Sequence, residues 1–376
     1  MRNLIGQQHA IDLLTRQLAS GRLHHAYIFH GPAGVGKMTA ALAFAGAYLC
    51  QQPADGQPCN TCPSCNHLGE TLLNATGLDQ LTDDPTELDL SQVGGGHPDL
   101  HIITKELARY ADDADIRKRK LTQIPTEILR EQLIEPAYHA PVLSGRKVFI
   151  VDEAELLNLT GQNTLLKTLE EPPAGTMIIL VTSSEDRLLP TIRSRCQRIG
   201  FIPLDDQHVR DFLTRRAQDL SADDTERLVA LADGSLGRAH IALTFNLIEP
   251  ALIVERGLKE IENGRPQPEL GAEIHQTIDT FAAAWVEKHA GASKEAANRL
   301  GLSLMVALIS GIARRRLTTL APTLDPDTPE TSDQVMAGPL GTIDAVERWQ
   351  RLVRTNVNLS LACDHLVASI ERAALS

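Results

Sequence analysis

The stretch HGPAGVGKMTAAL, residues 30–42, sets Gly31, Gly34, Gly36 and Lys37 in the phosphate-loop spacing G-x-x-x-x-G-K. Glycines in these places let backbone N–H groups wrap a phosphate, and the lysine adds positive charge. The pattern continues with a Ser or Thr hydroxyl that ligates Mg²⁺. Met38 stands there instead, and a thioether does not replace a hard oxygen ligand. Thr39 is the nearest hydroxyl and stays among the candidate nucleotide contacts, although one step along a helix turns a side chain by about 100°. A second group is VFIVDE, in which Asp152 would bind Mg²⁺ and Glu153 would orient or deprotonate an attacking water. A third lies in TSS at 182–184 and TIRSRCQR: Thr182 or Ser183 is placed to sense a γ-phosphate, and Arg193, Arg195 or Arg198 could reach a neighbour's nucleotide as an arginine finger.

Cys50, Cys59, Cys62 and Cys65 form the fourth group, spaced C-x8-C-x2-C-x2-C. Two x2 spacings let neighbouring thiolates converge on one tetrahedral ion, with Cys50 reaching in from the end of the preceding helix; His67 is an alternative ligand. Four thiolates leave no open position, so a Zn²⁺ here would be structural. Cys196 and Cys363 stand alone and read as small buried hydrophobes. Each group also has a plain reading. Asp-Glu after an apolar run can be a solvated strand end, three arginines a solvated face, and the run Arg117, Lys118, Arg119, Lys120 a solvated helix end in preference to a nucleic-acid contact.

The elements that must position these residues follow from apolar patterning. AYIFH is a strand entering the glycine loop, and MTAALAFAGAYLC a helix leaving it. KVFIV, TMIILVT and QRIGFIPL are further strand-like runs; IPTEILREQLIEPAYHA and GQNTLLKTLEEPP are helical, the latter stopped by Pro172 and Pro173. Strands alternating with helices predict an α/β fold with a parallel, doubly wound sheet. Residues 68–95 are rich in Asp, Thr and Gly without a period and read as a surface insertion, with order resuming at His97. After Pro203 only helical patterns remain; NRLGLSLMVALISGIARRRL is apolar almost all round, 321–339 reads as a proline- and acid-rich linker, and Leu359, Cys363, Leu366 and Ile370 form a packing stripe.

With 376 residues the chain is long enough for two or three cores. Its 43% hydrophobic and 22% charged residues are ordinary for a globular protein. A net charge of −12 argues against coating DNA with the whole surface, while leaving room for local basic patches. The N-terminus lacks a signal-peptide core, and no apolar run is expected to approach the ~20 residues of a membrane span, so the reading is cytoplasmic.

Together, IGQQHAIDLL, RLHHAYIFHGPAGVGK, the four cysteines, HPDL, VFIVDEAELLN, NTLLKTLEEPP, IRSRC, GSLGRA and NVNLSLA resemble the clamp-loader AAA+ proteins of bacterial DNA replication, over most of the chain. HPDL, GSLGRA and the length are most similar to the delta-prime branch. The resemblance implies an AAA+ nucleotide-fold domain at 1–204 with a zinc module at 50–65, a helical lid at 205–245 and an all-α collar at 246–376. It assigns Gly31, Gly34, Gly36 and Lys37 to the phosphate loop, Asp152 and Glu153 to the acidic pair, and Thr182 or Ser183 to the polar sensor. Arg195 becomes the finger presented in trans, Arg238 lies at or beside the lid sensor, and the four cysteines hold Zn²⁺. It implies a hetero-pentamer with gamma/tau and delta subunits that acts on a sliding clamp and primer-template DNA. In it this chain is a stator that binds ATP or ADP with doubtful Mg²⁺ and whose own ATPase is weak or absent. The alternatives are an active gamma/tau-like ATPase and a non-replicative AAA+ binding module.

Overall fold

The computed structural model describes residues 4–74, 97–111, 113–117, 122–289, 292–321, 329–353 and 357–374. The chain divides into two compact units, Met1–Leu204 and Asp205–Ser376.

The first unit is built on five parallel strands: β1 Ala26–His30, β2 Leu100–Ile103, β3 Lys147–Val151, β4 Thr176–Thr182 and β5 Gln197–Gly200. Their order is β2-β3-β4-β1-β5. Successive side chains of a strand point to opposite faces, and this sheet uses both. Tyr27, Phe29, Val148, Ile150, Ile179 and Val181 enter one core, packed by α1 Gln8–Ser20 and α2 Lys37–Leu49. Ala26, Ile28, Phe149, Val151, Ile178 and Leu180 enter a second core on the other face, closed by Ile128, Leu129, Leu133, Leu165 and Leu169. Burial on both faces explains why these strands read as continuous apolar runs.

Four of the strands coincide with the runs expected from sequence; β2, only LHII, was too short to stand out. Helix α3, Pro63–Asn74, continues to Asn74 where an insertion was expected from 68; the remainder, 75–96, lies outside the described residues. α4, Leu159–Glu170, is the expected NTLLKTLEE helix, capped by Asn158 whose Oδ1 accepts from the Gly161 N–H at 2.7 Å.

The second unit is helical: α5 Asp206–Arg216, α6 Ala222–Ala232, α7 Leu236–Thr244, α8 Ile248–Glu262, α9 Leu270–Lys288, α10 Lys294–Leu320, α11 Pro329–Leu352 and α12 Leu359–Ala374. The stripe on α12 is core, with Cys363, Leu366 and Ile370 buried. Two expectations are corrected. The linker 321–339 is helical from Pro329 onward: a proline is well suited to a first helical turn, and the helix carries Pro339 in its interior. α10 also contains a window of mean hydropathy 1.5, long and apolar enough by length and composition to cross a membrane, half of it buried inside the protein. Packing explains that composition: α10 lies against α9, α11 and α6, and a Cβ on Gly311 would meet the Ala230 carbonyl oxygen at 2.4 Å.

Candidate functional site

The carboxyl ends of β1, β3 and β4 carry the glycine loop, the acidic pair and the polar residues, where ligands bind in open α/β sheets. The loop geometry requires its glycines. Gly31 has φ +141°, and a Cβ there would sit 2.1 Å from the Phe201 carbonyl oxygen; Gly36, at φ +98°, would meet Leu4 at 3.0 Å. Gly34 also has positive φ. Gln7, from the IGQQ stretch, is buried and fastens the loop to the end of β5: its Nε2 donates to Val35 O at 3.2 Å and Ile202 O at 2.7 Å, and its Oε1 accepts from Ile202 N at 3.2 Å.

Lys37 opens α2, and its Nζ donates to the Gly31 and Pro32 carbonyls at 2.7 and 2.5 Å. Met38 packs against the apolar core of the first unit, and Thr39 follows it half-buried on the helix.

Asp152 follows β3 and accepts from the Glu153 N–H at 2.9 Å. Desolvation, reinforced by Glu153 and Glu155, pushes its carboxyl up to about 6. Glu153 adopts a left-handed φ of +46°, uncommon for a non-glycine residue, and its carboxylate is ion-paired with Lys105. Lys105 lies just beyond β2; burial opposes its charge, but Glu153, with Glu106 and Asp152, outweighs the burial and raises its pKa. Sequence reading missed this lysine, since adjacency of β2 and β3 brings it to the acidic pair from 48 residues away.

Thr182 is buried, pairs in register with His30, and accepts from Ser184 N at 3.1 Å. Ser183 instead binds Glu155, through its N–H at 3.1 Å and its hydroxyl. Of the three arginines, Arg198 is paired with Glu185, while Arg195 is half-exposed, 2.6 Å from the Glu170 carboxylate at the end of α4, and donates to the Thr191 carbonyl at 3.0 Å. Arg238 belongs to the helical unit, in the first turn of α7, 3.5 Å from Asp233; burial lowers its pKa. Arg117 donates to the Ala111 carbonyl at 2.5 Å, and the rest of its basic run, Lys118, Arg119 and Lys120, lies outside the described residues.

The four cysteines come together, their sulfurs all within 4.8 Å of one another. Cys50 and Cys62 are 3.9 Å apart, as are Cys59 and Cys65. Zn–S bonds of ~2.3 Å in a tetrahedron place sulfurs ~3.8 Å apart, so these residues fit Zn²⁺ and could hold it. Backbone N–H groups of Cys59, Cys62 and Cys65 point at Cys50, Cys59 and Cys62 sulfurs at 3.3, 3.3 and 3.5 Å, favouring thiolates. The N–H and hydroxyl of Thr61 pull the Cys59 thiol down to about 6, while burial pushes Cys65 up. His67 is not in the group; its ring meets His97 edge-on.

HPDL joins this module to the sheet. The Ser64 hydroxyl, inside the cysteine knuckle, donates to Leu49 O at 2.8 Å, so the 2.7 Å contact with His97 Nε2 makes that nitrogen the donor; Nδ1 accepts from Asp99 N at 3.0 Å. Burial lowers the His97 pKa, consistent with a neutral ring. The Asp99 carboxylate accepts from Val142 N, Leu143 N and Ser144 N at 2.6, 2.8 and 2.9 Å and from the Ser144 hydroxyl at 3.1 Å, holding the turn that leads into β3.

Compared with known proteins, the chain is similar to the DNA polymerase III subunit gamma/tau of Mycobacterium tuberculosis, 35% identical over 56% of this chain and 30% of that protein. It is similar to the DNA polymerase III subunit delta' of Bacillus subtilis, 31% identical over 57% of this chain and 53% of that protein. The matched stretch spans between 30% and 61% of the length of the curated relatives. A solved gamma subunit-related protein of Thermotoga maritima aligns over 97% of this chain and 99% of its own at 15% identity, with a TM-score of 0.40. The model of the family described as "DNA polymerase III, delta subunit" matches residues 6–85 and 86–205, more than half of the chain, and the chain belongs to that family.

Proposed function

We propose that this chain is a delta-prime-like subunit of a bacterial DNA polymerase III clamp loader, working in the cytoplasm. It joins gamma/tau and delta subunits in a hetero-pentamer as a stator and helps to load the sliding clamp on primed DNA. On this reading 1–204 is the AAA+ nucleotide-fold domain, 205–245 the lid and 246–376 the collar. Arg195 is the finger presented to the adjacent subunit's nucleotide. Its half-exposed position and its single carboxylate partner, Glu170, support that role, because a solvent-accessible pair is worth only ~0–1 kcal/mol and exchanges readily for a phosphate. ATP or ADP would sit on Gly31, Gly34, Gly36, Lys37 and Thr39, near Asp152, Thr182 and Ser183, and Arg238 is kept as the sensor residue of the lid. Zn²⁺ on Cys50, Cys59, Cys62 and Cys65 would supply a structural cross-link.

The observation that carries the stator reading is Met38. It occupies the Mg²⁺-ligand position with an apolar side chain committed to the core. Glu153, held by Lys105, points the same way. A gamma/tau-like motor is the second reading, favoured by the 35% identity to the mycobacterial gamma/tau subunit. The purified chain with Mg²⁺ and ATP separates them: a stator shows no turnover above a Lys37→Ala control, whereas turnover abolished by Lys37→Ala makes the chain a motor.

A further inference from the structure

The helical unit holds a pocket of about 380 Å³, open to solvent and lined by Arg348, His365, Ser369, Arg372 and Ala373. Helix geometry makes this a face. His365, Ser369 and Arg372 recur at steps of four and three on α12, so their side chains stack along one side, with Arg348 of α11 beside them. The two helices are fixed in place by packing: Trp349, Leu366 and Ile370 are buried.

The charges here differ from those of several other arginines of the unit. Arg210, Arg227, Arg238, Arg314, Arg315 and Arg316 each face a carboxylate. Arg348 and the His365 ring have no ion pair or side-chain hydrogen bond among the described residues, and no carboxylate is among the residues lining the pocket. Arg372 is oriented by a neutral group: the buried Ser369 hydroxyl accepts from its Nη2 at 3.1 Å while donating to the His365 carbonyl at 2.7 Å. The acids next along α12 are turned elsewhere. Glu371 accepts from Gln267 N at 2.7 Å, and Asp364 packs against Gly271. In a chain of net charge −12, two guanidiniums and an imidazole therefore converge on one open volume whose lining holds no carboxylate.

We infer that this pocket binds a phosphate group. Guanidinium forks match phosphate oxygens in bidentate fashion, and donors arriving from three side chains on two helices suit a tetrahedral phosphate group, whose oxygens are spread in three dimensions, better than a planar carboxylate. The phosphate has two available sources, the backbone of a nucleic-acid strand and free phosphate or a small phosphorylated molecule. The site lies in the helical unit and stands whether or not the stator reading holds.

The test uses the full chain carrying Lys37→Ala, which removes the phosphate-loop lysine from the result, with and without Arg348→Ala plus Arg372→Ala. The probes are a fluorescent single-stranded oligonucleotide and inorganic phosphate, the latter read as a rise in melting temperature. For a backbone source, oligonucleotide affinity falls at least tenfold in the double variant, and the slope of log K against log salt becomes shallower by ~0.7 for each phosphate that the arginines no longer neutralise. For a free source, the phosphate-induced stabilisation disappears while oligonucleotide binding is unmoved. Neither probe responding to the substitutions, in a variant with unchanged helicity, overturns the inference; so does tighter binding of a glutamate peptide than of either phosphate probe. Arg348→Gln, at an exposed side chain with no ion pair, repeats the measurement should the double variant lose helicity.

Discussion

Replacing Asp99 with alanine removes one carboxylate that accepts three backbone N–H bonds, from Val142, Leu143 and Ser144, and one hydroxyl bond from Ser144. Asp99 is only 1% exposed, so water does not readily take its place. Hydrogen bonds to a charged group contribute ~1.5–3 kcal/mol each, but four bonds to one carboxylate are not independent, and the turn can relax toward solvent. The expected loss is therefore about 3–5 kcal/mol, a large share of the ~5–15 kcal/mol that holds a domain together. For a unit of about 200 residues, at ~2–4 °C per kcal/mol, the melting temperature falls by about 6–20 °C. Scanning calorimetry of wild type and Asp99→Ala measures this, and the pH dependence identifies the cause. Burial pushes the Asp99 carboxyl up, but the N–H groups of Ser144, Val142 and Leu143 outweigh it and hold the pKa below its ordinary value. A depressed folded pKa gives stability that is complete above the unfolded value of ~3.9 and is lost as pH falls through the folded value. The gap between wild type and variant should thus be constant from neutral pH to about 5 and close below about 4. A loss below ~1 kcal/mol, or a gap that does not narrow in acid, would refute the account of HPDL as the fastening between the cysteine module and β3.

Other perturbations give equally direct readings. Strong chelation, or Cys62→Ser, should lower the melting temperature of the chain by more than about 10 °C, with Zn²⁺ restoring the chelated sample, because structural Zn²⁺ binding free energy is folding free energy; four freely reactive thiols in that cluster before chelation, with no change on adding Zn²⁺, would count against a metal. Gly31→Ala places a Cβ against the Phe201 carbonyl oxygen in a backbone conformation that L residues rarely adopt, and should cost about 3–5 kcal/mol and abolish nucleotide binding; a melting temperature within a few degrees of wild type would contradict the loop geometry. Lys105→Met should cost only ~1 kcal/mol, since Glu153 is partly exposed, as measured by denaturant titration; a loss above ~3 kcal/mol would show that the pair is structural.

What was legible in the sequence had local causes. Strands buried on both faces announce themselves as apolar runs, and the positive-φ glycines Gly31, Gly34 and Gly36 belong to one short loop whose spacing is local in the sequence. The cysteines were legible because a knuckle brings thiolates together over a few residues. Contacts made by topology were not. Lys105 meets Glu153, and Glu170 meets Arg195, only because the sheet and its helices bring distant segments together. β2 escaped notice because four residues carry little periodicity, and the helix from Pro329 because prolines and acids read as a linker although both suit a first helical turn. The pocket on α11 and α12 draws residues from two helices, none of which belongs to a sequence motif.

In the proposed stator role this chain completes a neighbour's active site without needing its own. That role is tested most directly by ATP turnover in a mixture of motor subunit, delta subunit and this chain, stimulated by clamp and primed DNA, comparing wild type with Arg195→Ala while size-exclusion chromatography follows assembly. The proposed role predicts an intact complex in which turnover dependent on this chain falls steeply, on the order of 10³-fold at a site completed by Arg195. Unchanged turnover, or a complex that fails to assemble, would contradict it.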